Sequence, residues 1–244
     1  MNYQITPIML ARFTDMEAST FTYLKNFGNL LQCPIFVFVV QGNGKNILFD
    51  GGPVSPELAP TKTHRPMMDH ISLQEGLGRI GLRCEDIDCV VLSHLHWDHS
   101  YNLDLFPHAP IYIQGKEVEY AINPLPCSNV SYNVRNGNGV PQWLEGFENF
   151  RLLYGDFHLD EGLELVCLPG HTPGQQGLVV DTAEGKYLLS SDHYPLMENY
   201  LKGIPSGIHV NLLEWQASHR KVLENGWKVL PAHDDCVLER KVYG

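Results

Sequence analysis

The sequence predicts a layered α/β fold, and three observations carry that prediction. Short apolar segments rich in Val, Ile, Leu and aromatics recur along the chain. Only a few stretches have helical periodicity, and glycine-containing turns stand between neighbouring strand segments. At 244 residues and 43% hydrophobic, the chain can build one large core, so a single domain over 1–244 is expected.

The first strand expected is Ile35–Val40, an apolar run far too short to span a bilayer. Gly42-Asn43-Gly44 has the composition of a tight hairpin turn leading into a strand at Asn46–Asp50. Further strands are expected at Ile87–Ser93, Ile111–Gln114, Leu163–Leu168, Gly177–Asp181, Tyr187–Ser191 and Trp227–Pro231, with Ala183-Glu184-Gly185 as a second hairpin turn. Helices are expected over Ile71–Ile80, where Ser72 and Glu75 have capping-box spacing, over Gly115–Ile122, and over Leu212–Asn225. In the last, Leu212, Leu213, Trp215, His219, Val222 and Leu223 form an apolar stripe that Gly226 ends. Thr14–Gln32, Gly51–His70 and Asn123–Asn149, the last containing Asn136-Gly137-Asn138-Gly139, read as long irregular segments of the kind that wall a pocket. Their Met16, Phe21, Tyr23, Phe27, Met67, Met68 and Trp143 are the apolar side chains available to line it.

Composition narrows the function. A formal charge of −11 disfavours contact with nucleic acid or an anionic membrane, because phosphate binding needs Lys and Arg. The N-terminal MNYQITPIMLARF lacks the basic start, apolar run and cleavage site of a signal peptide. Cys33, Cys84, Cys89, Cys127, Cys167 and Cys236 include no C-x-x-C pair, and a core of this size needs no disulfide. Reduced thiols and a cytoplasmic protein are expected, with a small-molecule substrate and no nucleic-acid or membrane partner; the oligomeric state is not legible.

Chemistry concentrates in Ser93-His94-Leu95-His96-Trp97-Asp98-His99, directly after an apolar strand. His94 and His96 are two apart, so in extended chain they point to one side, where paired imidazoles suit a transition metal. Asp98 and His99 lie where the chain turns and can face a second ion. Buried together without a cation, four such side chains within six positions would suffer desolvation and mutual crowding. Three more ligands stand at strand ends: His171 in Leu168-Pro169-Gly170-His171-Thr172-Pro173-Gly174, Asp192 after Ser190-Ser191, and His233 after Pro231-Ala232. Asp192 has two oxygens and can bridge two cations. Two divalent ions are expected, zinc foremost, with iron, manganese and cobalt also suited to these donors. No G-x-S-x-G nucleophile motif is present.

The set His94-x-His96-x-Asp98-His99, with His171, Asp192 and His233, resembles the metallo-β-lactamase superfamily, and more narrowly its N-acyl homoserine lactonase group. The likeness runs in order through Leu48-Phe49-Asp50-Gly51-Gly52, Ser93–His99, Gly170–Gly174, Ser191-Asp192 and Ala232-His233-Asp234. It implies an αββα four-layer sandwich with the metal site at one edge. It implies that His94, His96 and His171 take one ion, that Asp98, His99 and His233 take the other, that Asp192 bridges them, and that Asp50 orients the ligand loop. It also implies a lactonase: two ions roughly 3.5–4 Å apart acidify a shared water, whose hydroxide opens an N-acyl homoserine lactone or similar ring, with Asp98 steering protons. One departure stands out. The lactonases carry a substrate-contacting tyrosine three positions after the bridging aspartate, where this chain has Pro195; Tyr194 is the nearest tyrosine and is expected to take that place, while its neighbour His193 reads as a packed residue. The alternative is a related hydrolase of another ester, a thioester or a β-lactam. Eleven residues follow His233, too few for the C-terminal helical domain of glyoxalase II-type thioesterases. The best-known β-lactamases carry cysteine at the place of Asp192, and flavin-linked diiron proteins a glutamate at that of His96.

Overall fold

The computed structural model describes residues 2–54, 65–133 and 139–244. One sheet contains β1 (Gln4–Glu17), β2 (Leu30–Gly42), β3 (Lys45–Phe49), β4 (Met67–Met68), β5 (Cys89–Val91), β6 (Ile111–Gln114) and β7 (Phe150–Leu153), in the order β4-β1-β2-β3-β5-β6-β7. The other contains β8 (Phe157–Asp160), β9 (Leu163–Cys167), β10 (Gln176–Thr182), β11 (Gly185–Ser191) and β12 (Lys228–Pro231), in the order β12-β11-β10-β9-β8. The helices are α1 (Leu73–Arg79), α2 (Gly115–Ile122), α3 (Asn129–Tyr132), α4 (Met197–Lys202) and α5 (Leu212–Asn225).

Alternation along the strands sorts their side chains into layers. Phe36, Phe38 and Val40 of β2 join Phe49, Val91, Leu165, Leu178 and Leu189 in the core between the sheets. Val37 and Val39 point the other way, against Leu73 and Leu77 of α1 and Val118 of α2. Val166, Val179 and Leu188 on the far face of the second sheet pack on Trp215 and Val222 of α5. Helix, sheet, sheet, helix is the four-layer order expected. β2 is buried on both faces, which is why it reads as an unbroken apolar run.

Local signals act as their chemistry requires. Asn43 and Gly44 both have positive φ, 52° and 72°, and pair Gly42 with Lys45 in a two-residue hairpin. Ser72 accepts the Glu75 N–H at 3.1 Å, but the Glu75 carboxylate accepts from Arg79 at 2.8 Å, so half of the capping box forms. α5 matches its expected span and ends at Gly226 with φ 65°. Leu213 and Leu223 of its stripe are 84% and 52% exposed; Trp215, Ser218, His219 and Val222 form the buried face.

The irregular segments need correction. Thr14–Gln32 contains the end of β1 and the start of β2, leaving one 3-10 turn, Ala18–Thr20, and a short loop. β1 escapes sequence reading because its pairing with β2 shifts register between Met9 and Ala11 and between Phe13 and Met16, which resets the phase of its apolar alternation. Within Gly51–His70, Met67 and Met68 pair with Phe13 and Arg12; positions 55–64 lie outside the described residues. Asn123–Asn149 contains α3 and a 3-10 stretch, Gln142–Asn149, while Asn136-Gly137-Asn138 lies outside the described residues. β7 and β8 were not anticipated either; their exposed positions dilute the apolar signal. None of the six cysteines forms a disulfide, and no helix among the described residues is long and apolar enough to cross a membrane.

Candidate metal centre

The strands that end in potential ligands all end at one edge. β3 and β5 are parallel neighbours, as are β11 and β12, and β9 runs in the direction of β11 because both are antiparallel to β10. Asp50, Ser93–His99, the Gly170–Gly174 turn, Asp192 and His233 follow those ends and meet there. Two groups result: His94, His96, His171 and Asp192 in one, Asp98, His99 and His233 in the other, with the ligand atoms of each group lying within 4.8 Å of one another. All seven side chains are buried, the most open being Asp98 at 8%. Asp192 stands between the groups, with Oδ2 3.4 Å from His171 Nε2 and Oδ1 3.4 Å from His99 Nε2 and 3.1 Å from His233 Nε2.

Outer hydrogen bonds aim the rings. His171 donates Nδ1–H to the Ile208 carbonyl at 2.7 Å and His233 to that of Pro34 at 2.8 Å, so each turns Nε2 inward. Asp50 Oδ2 accepts from His99 Nδ1 at 2.8 Å and from Ser93 Oγ at 2.9 Å, while Oδ1 accepts the Ser93 N–H at 2.7 Å. Ser93 Oγ in turn lies 2.9 Å from His94 Nδ1 and accepts from Ser191 Oγ at 2.7 Å, tying the first histidine segment to the strand that carries Asp192. His96 directs Nδ1 inward, 3.1 Å from His171 Nε2. The His171 turn needs its glycine: Gly170 has φ 142°, and a Cβ there would lie 2.5 Å from the Trp215 Cα.

The donors fit cations. His94 Nε2, His99 Nε2, His233 Nε2 and Asp192 Oδ1 are buried without a hydrogen-bond partner, each at a cost of about 1–3 kcal/mol unless something else satisfies it. Burial, with His99, His96 and His171 nearby, holds His94 well below the usual imidazole range; burial and His171 do the same to His96. These neutral rings point lone pairs at a common point. On the other side, burial opposes the charge on His99, but Asp98, Asp192 and Asp50 outweigh it and hold that ring well above the usual range. Positive charge is thus favoured at the second group.

The centre floors a cavity of about 250 Å³, walled by Phe13, Met16, Phe21, Trp97, Val130 and Ile208, with Arg65 and Ser131 as polar additions. Of the apolar residues expected to line a groove, Met16 and Phe21 do. Tyr23 stands edge-on to His209, Phe27 is 68% exposed, Met67 packs beside the cavity wall, Met68 is partly exposed, and Trp143 is buried with its indole N–H on the Tyr132 carbonyl. Phe13 and Trp97 escaped notice because the wall is assembled from distant segments.

Tyr194 is a correction. It is fully buried under α5, its hydroxyl 2.6 Å from His219 Nδ1, among Trp215 and Tyr200, and it is not part of the cavity wall. The chain turns directly after Asp192, with Tyr194 N–H on the Ser191 carbonyl, and the side chains of His193 and Tyr194 both pack against Trp215 of α5. His193 is packed as expected, stacked on Trp215 at 5.3 Å with neither ring nitrogen hydrogen-bonded. Glu117 was missed: it lies four positions before Ala121, on the buried face of α2, where a glutamate is out of place.

A four-layer sandwich with a buried two-part cage of imidazoles and carboxylates at its edge defines a metal-dependent hydrolase. The profile of the Metallo-beta-lactamase superfamily matches residues 30–233, and the chain belongs to that superfamily. It is similar to an N-acyl homoserine lactonase of Bacillus cereus, 28% identical over 194 residues that cover 73% of this chain and 71% of the relative. Among solved structures, a B. thuringiensis AiiA mutant with N-decanoyl-L-homoserine bound at its active site superimposes with a TM-score of 0.78 at 22% identity, covering 98% of this chain and 96% of the other. AidC, a dizinc quorum-quenching lactonase, gives 0.71 at 17%, covering 95% and 87%.

Proposed function

We propose that this hydrolase holds two zinc ions and opens the ring of a lactone, an N-acyl homoserine lactone or a close relative, and so acts in quorum quenching. The observation that carries the reading is a cage of five imidazoles and two carboxylates at the floor of a largely apolar cavity. His94, His96 and His171 would hold one ion, and Asp98, His99 and His233 the other, with an Asp192 oxygen toward each. When bound, such a pair supplies an acidified water and a Lewis acid for an ester carbonyl. The remaining work belongs to the chain. Asp98 borders the cavity and is the carboxylate placed to move a proton between water and the leaving alkoxide. Phe13, Phe21, Trp97 and Ile208 exclude bulk water and offer apolar surface to an acyl group. The names of the relatives support the same substrate class, and the dizinc relative supports the metal.

The position of Tyr194 favours a second reading, a different lactone or ester whose ring needs no tyrosine contact. Metal analysis and a pH-stat screen separate the readings. Two ions per chain and opening of N-acyl homoserine lactones, lost on chelation, support the first; inertness toward them with opening of another lactone supports the second. Absence of bound metal from protein prepared with zinc sinks both.

A further inference from the structure

Glu117, on α2, is fully buried, and both its oxygens are engaged. Oε1 accepts the backbone N–H of Leu95 at 3.0 Å and the Tyr132 hydroxyl at 2.8 Å; Oε2 accepts the backbone N–H of Gly174 at 3.0 Å. Leu95 is the residue between His94 and His96, and Gly174 closes the turn that carries His171. Tyr132 stands edge-on to the His96 ring, with centroids 4.8 Å apart at 75°. The contact with the turn is close enough to require glycine: a Cβ on Gly174 would lie 2.3 Å from the Glu117 backbone nitrogen. One carboxylate therefore holds the supports of all three histidines of the first group. Val118 and Ala121 of the same helix supply its apolar packing, and an apolar residue at 117 would leave these three buried donors without an acceptor. A buried acid with donors on both oxygens is explained by what those donors carry.

We propose that Glu117 is a positioning residue of the metal centre: it locks the His94–His96 segment to the His171 turn and, through Tyr132, sets the His96 ring. The inference rests on the metal reading above. It makes a specific demand on the amide variant. Glutamine has a single acceptor oxygen, so Glu117→Gln can keep Leu95 and Tyr132 but turns an NH₂ group against the Gly174 N–H, donor against donor. The His171 turn should loosen first.

The test compares wild type with Glu117→Gln, and with Val118→Ala as a control that thins the same helix's packing and removes no hydrogen-bonding group. Zinc affinity is measured by chelator competition, the cobalt-substituted protein by its visible spectrum, and the metal-free protein by amide exchange. The expected result for Glu117→Gln is a folded protein with zinc affinity down roughly 10- to 100-fold, shifted cobalt bands, and faster exchange at Gly174. Val118→Ala should be less stable with unchanged zinc affinity and spectrum. A folded Glu117→Gln with wild-type affinity and spectrum overturns the proposal. Should that variant not fold, Tyr132→Phe decides: a fall in zinc affinity of roughly threefold or more, as one lost hydrogen bond gives, supports it, and an unchanged affinity overturns it. A wild-type protein that binds neither zinc nor cobalt sinks the metal reading itself; wild type and variants binding equally well sink this inference alone.

Discussion

Asp50→Asn isolates the contribution of ligand orientation from that of the ligands themselves. Asp50 has φ 67°, a region that asparagine tolerates well and alanine does not, so the backbone survives the change. The carboxylate takes three donors: Ser93 N–H on Oδ1, and Ser93 Oγ and His99 Nδ1 on Oδ2. An amide serves one side or the other. If its oxygen stays on Ser93 N–H, its NH₂ faces His99 Nδ1, which must become an acceptor and move its proton to Nε2, the atom aimed at the cage. If the amide flips, two N–H groups collide at Ser93. Either way at least one charge-assisted hydrogen bond is lost, about 1.5–3 kcal/mol, or roughly 10- to 100-fold in metal affinity at about 1.4 kcal/mol per decade. Chelator competition with zinc measures it directly, with the melting temperature of the metal-free protein as a check on folding. A zinc affinity within roughly threefold of wild type in a folded variant would refute the argument, since one lost hydrogen bond already exceeds that.

Chelation should abolish turnover and lower the melting temperature: ions present at about a thousand times Kd contribute ~4 kcal/mol, which in a chain of this size is roughly 8–16 °C; full activity at an unchanged melting temperature would show the cage to be idle. Tyr194→Phe should leave kcat within about twofold but cost ~1–2 kcal/mol in urea melts, because His219 Nδ1 loses its partner; a tenfold fall in kcat at constant stability would return the phenol to the cavity. Arg240, then Tyr187, hydrogen-bond Glu184 and hold its carboxyl down to about 2. Its folded pKa lies below the unfolded value of about 4.3, so its stabilisation is present above that value and disappears as pH falls through about 2. The melting-temperature gap between wild type and Glu184→Gln should therefore close across that acid window, and a gap independent of pH would contradict it.

How much of this was legible follows from where each signal resides. The seven candidate ligands lie in short segments at strand ends, and each strand is a compact apolar run, so local reading finds both. His94 and His96 fall in one group, as their two-residue spacing leads one to expect. The pairing of Asp192 with His99 and His233 depends on β11 and β12 being parallel, which no local pattern states; the family resemblance supplied it. β1 was hidden by its register shifts, and with it Phe13, which stands against the rings of His233 and Trp97. Tyr194 failed for a related reason. Proximity in sequence to Asp192 says nothing about side, and one residue of offset sends the phenol to His219. Glu117 is the hardest case, because its partners are backbone groups of segments far along the chain, and backbone leaves no mark in composition.

The buried acids explain why those positions are occupied as they are. Asp98 and Asp192 in the cage, Asp50 behind His99 and Glu117 behind the first three histidines are all nearly or wholly buried. Asp50 and Glu117 accept donors on both oxygens; at Glu117 burial pushes the carboxyl up from the usual carboxylate range, and the hydrogen bonds from Leu95, Tyr132 and Gly174 oppose that rise. Negative charge gathered this closely out of water is costly unless matched. The rings of His94 and His96, held below the usual imidazole range, do not match it; His99 and His233, held above that range, match part of it, and two divalent cations would supply the rest. The outer pair of carboxylates thus does two things through one geometry. It aims the His99 ring into the cage, and it holds the two loops that carry His94, His96 and His171.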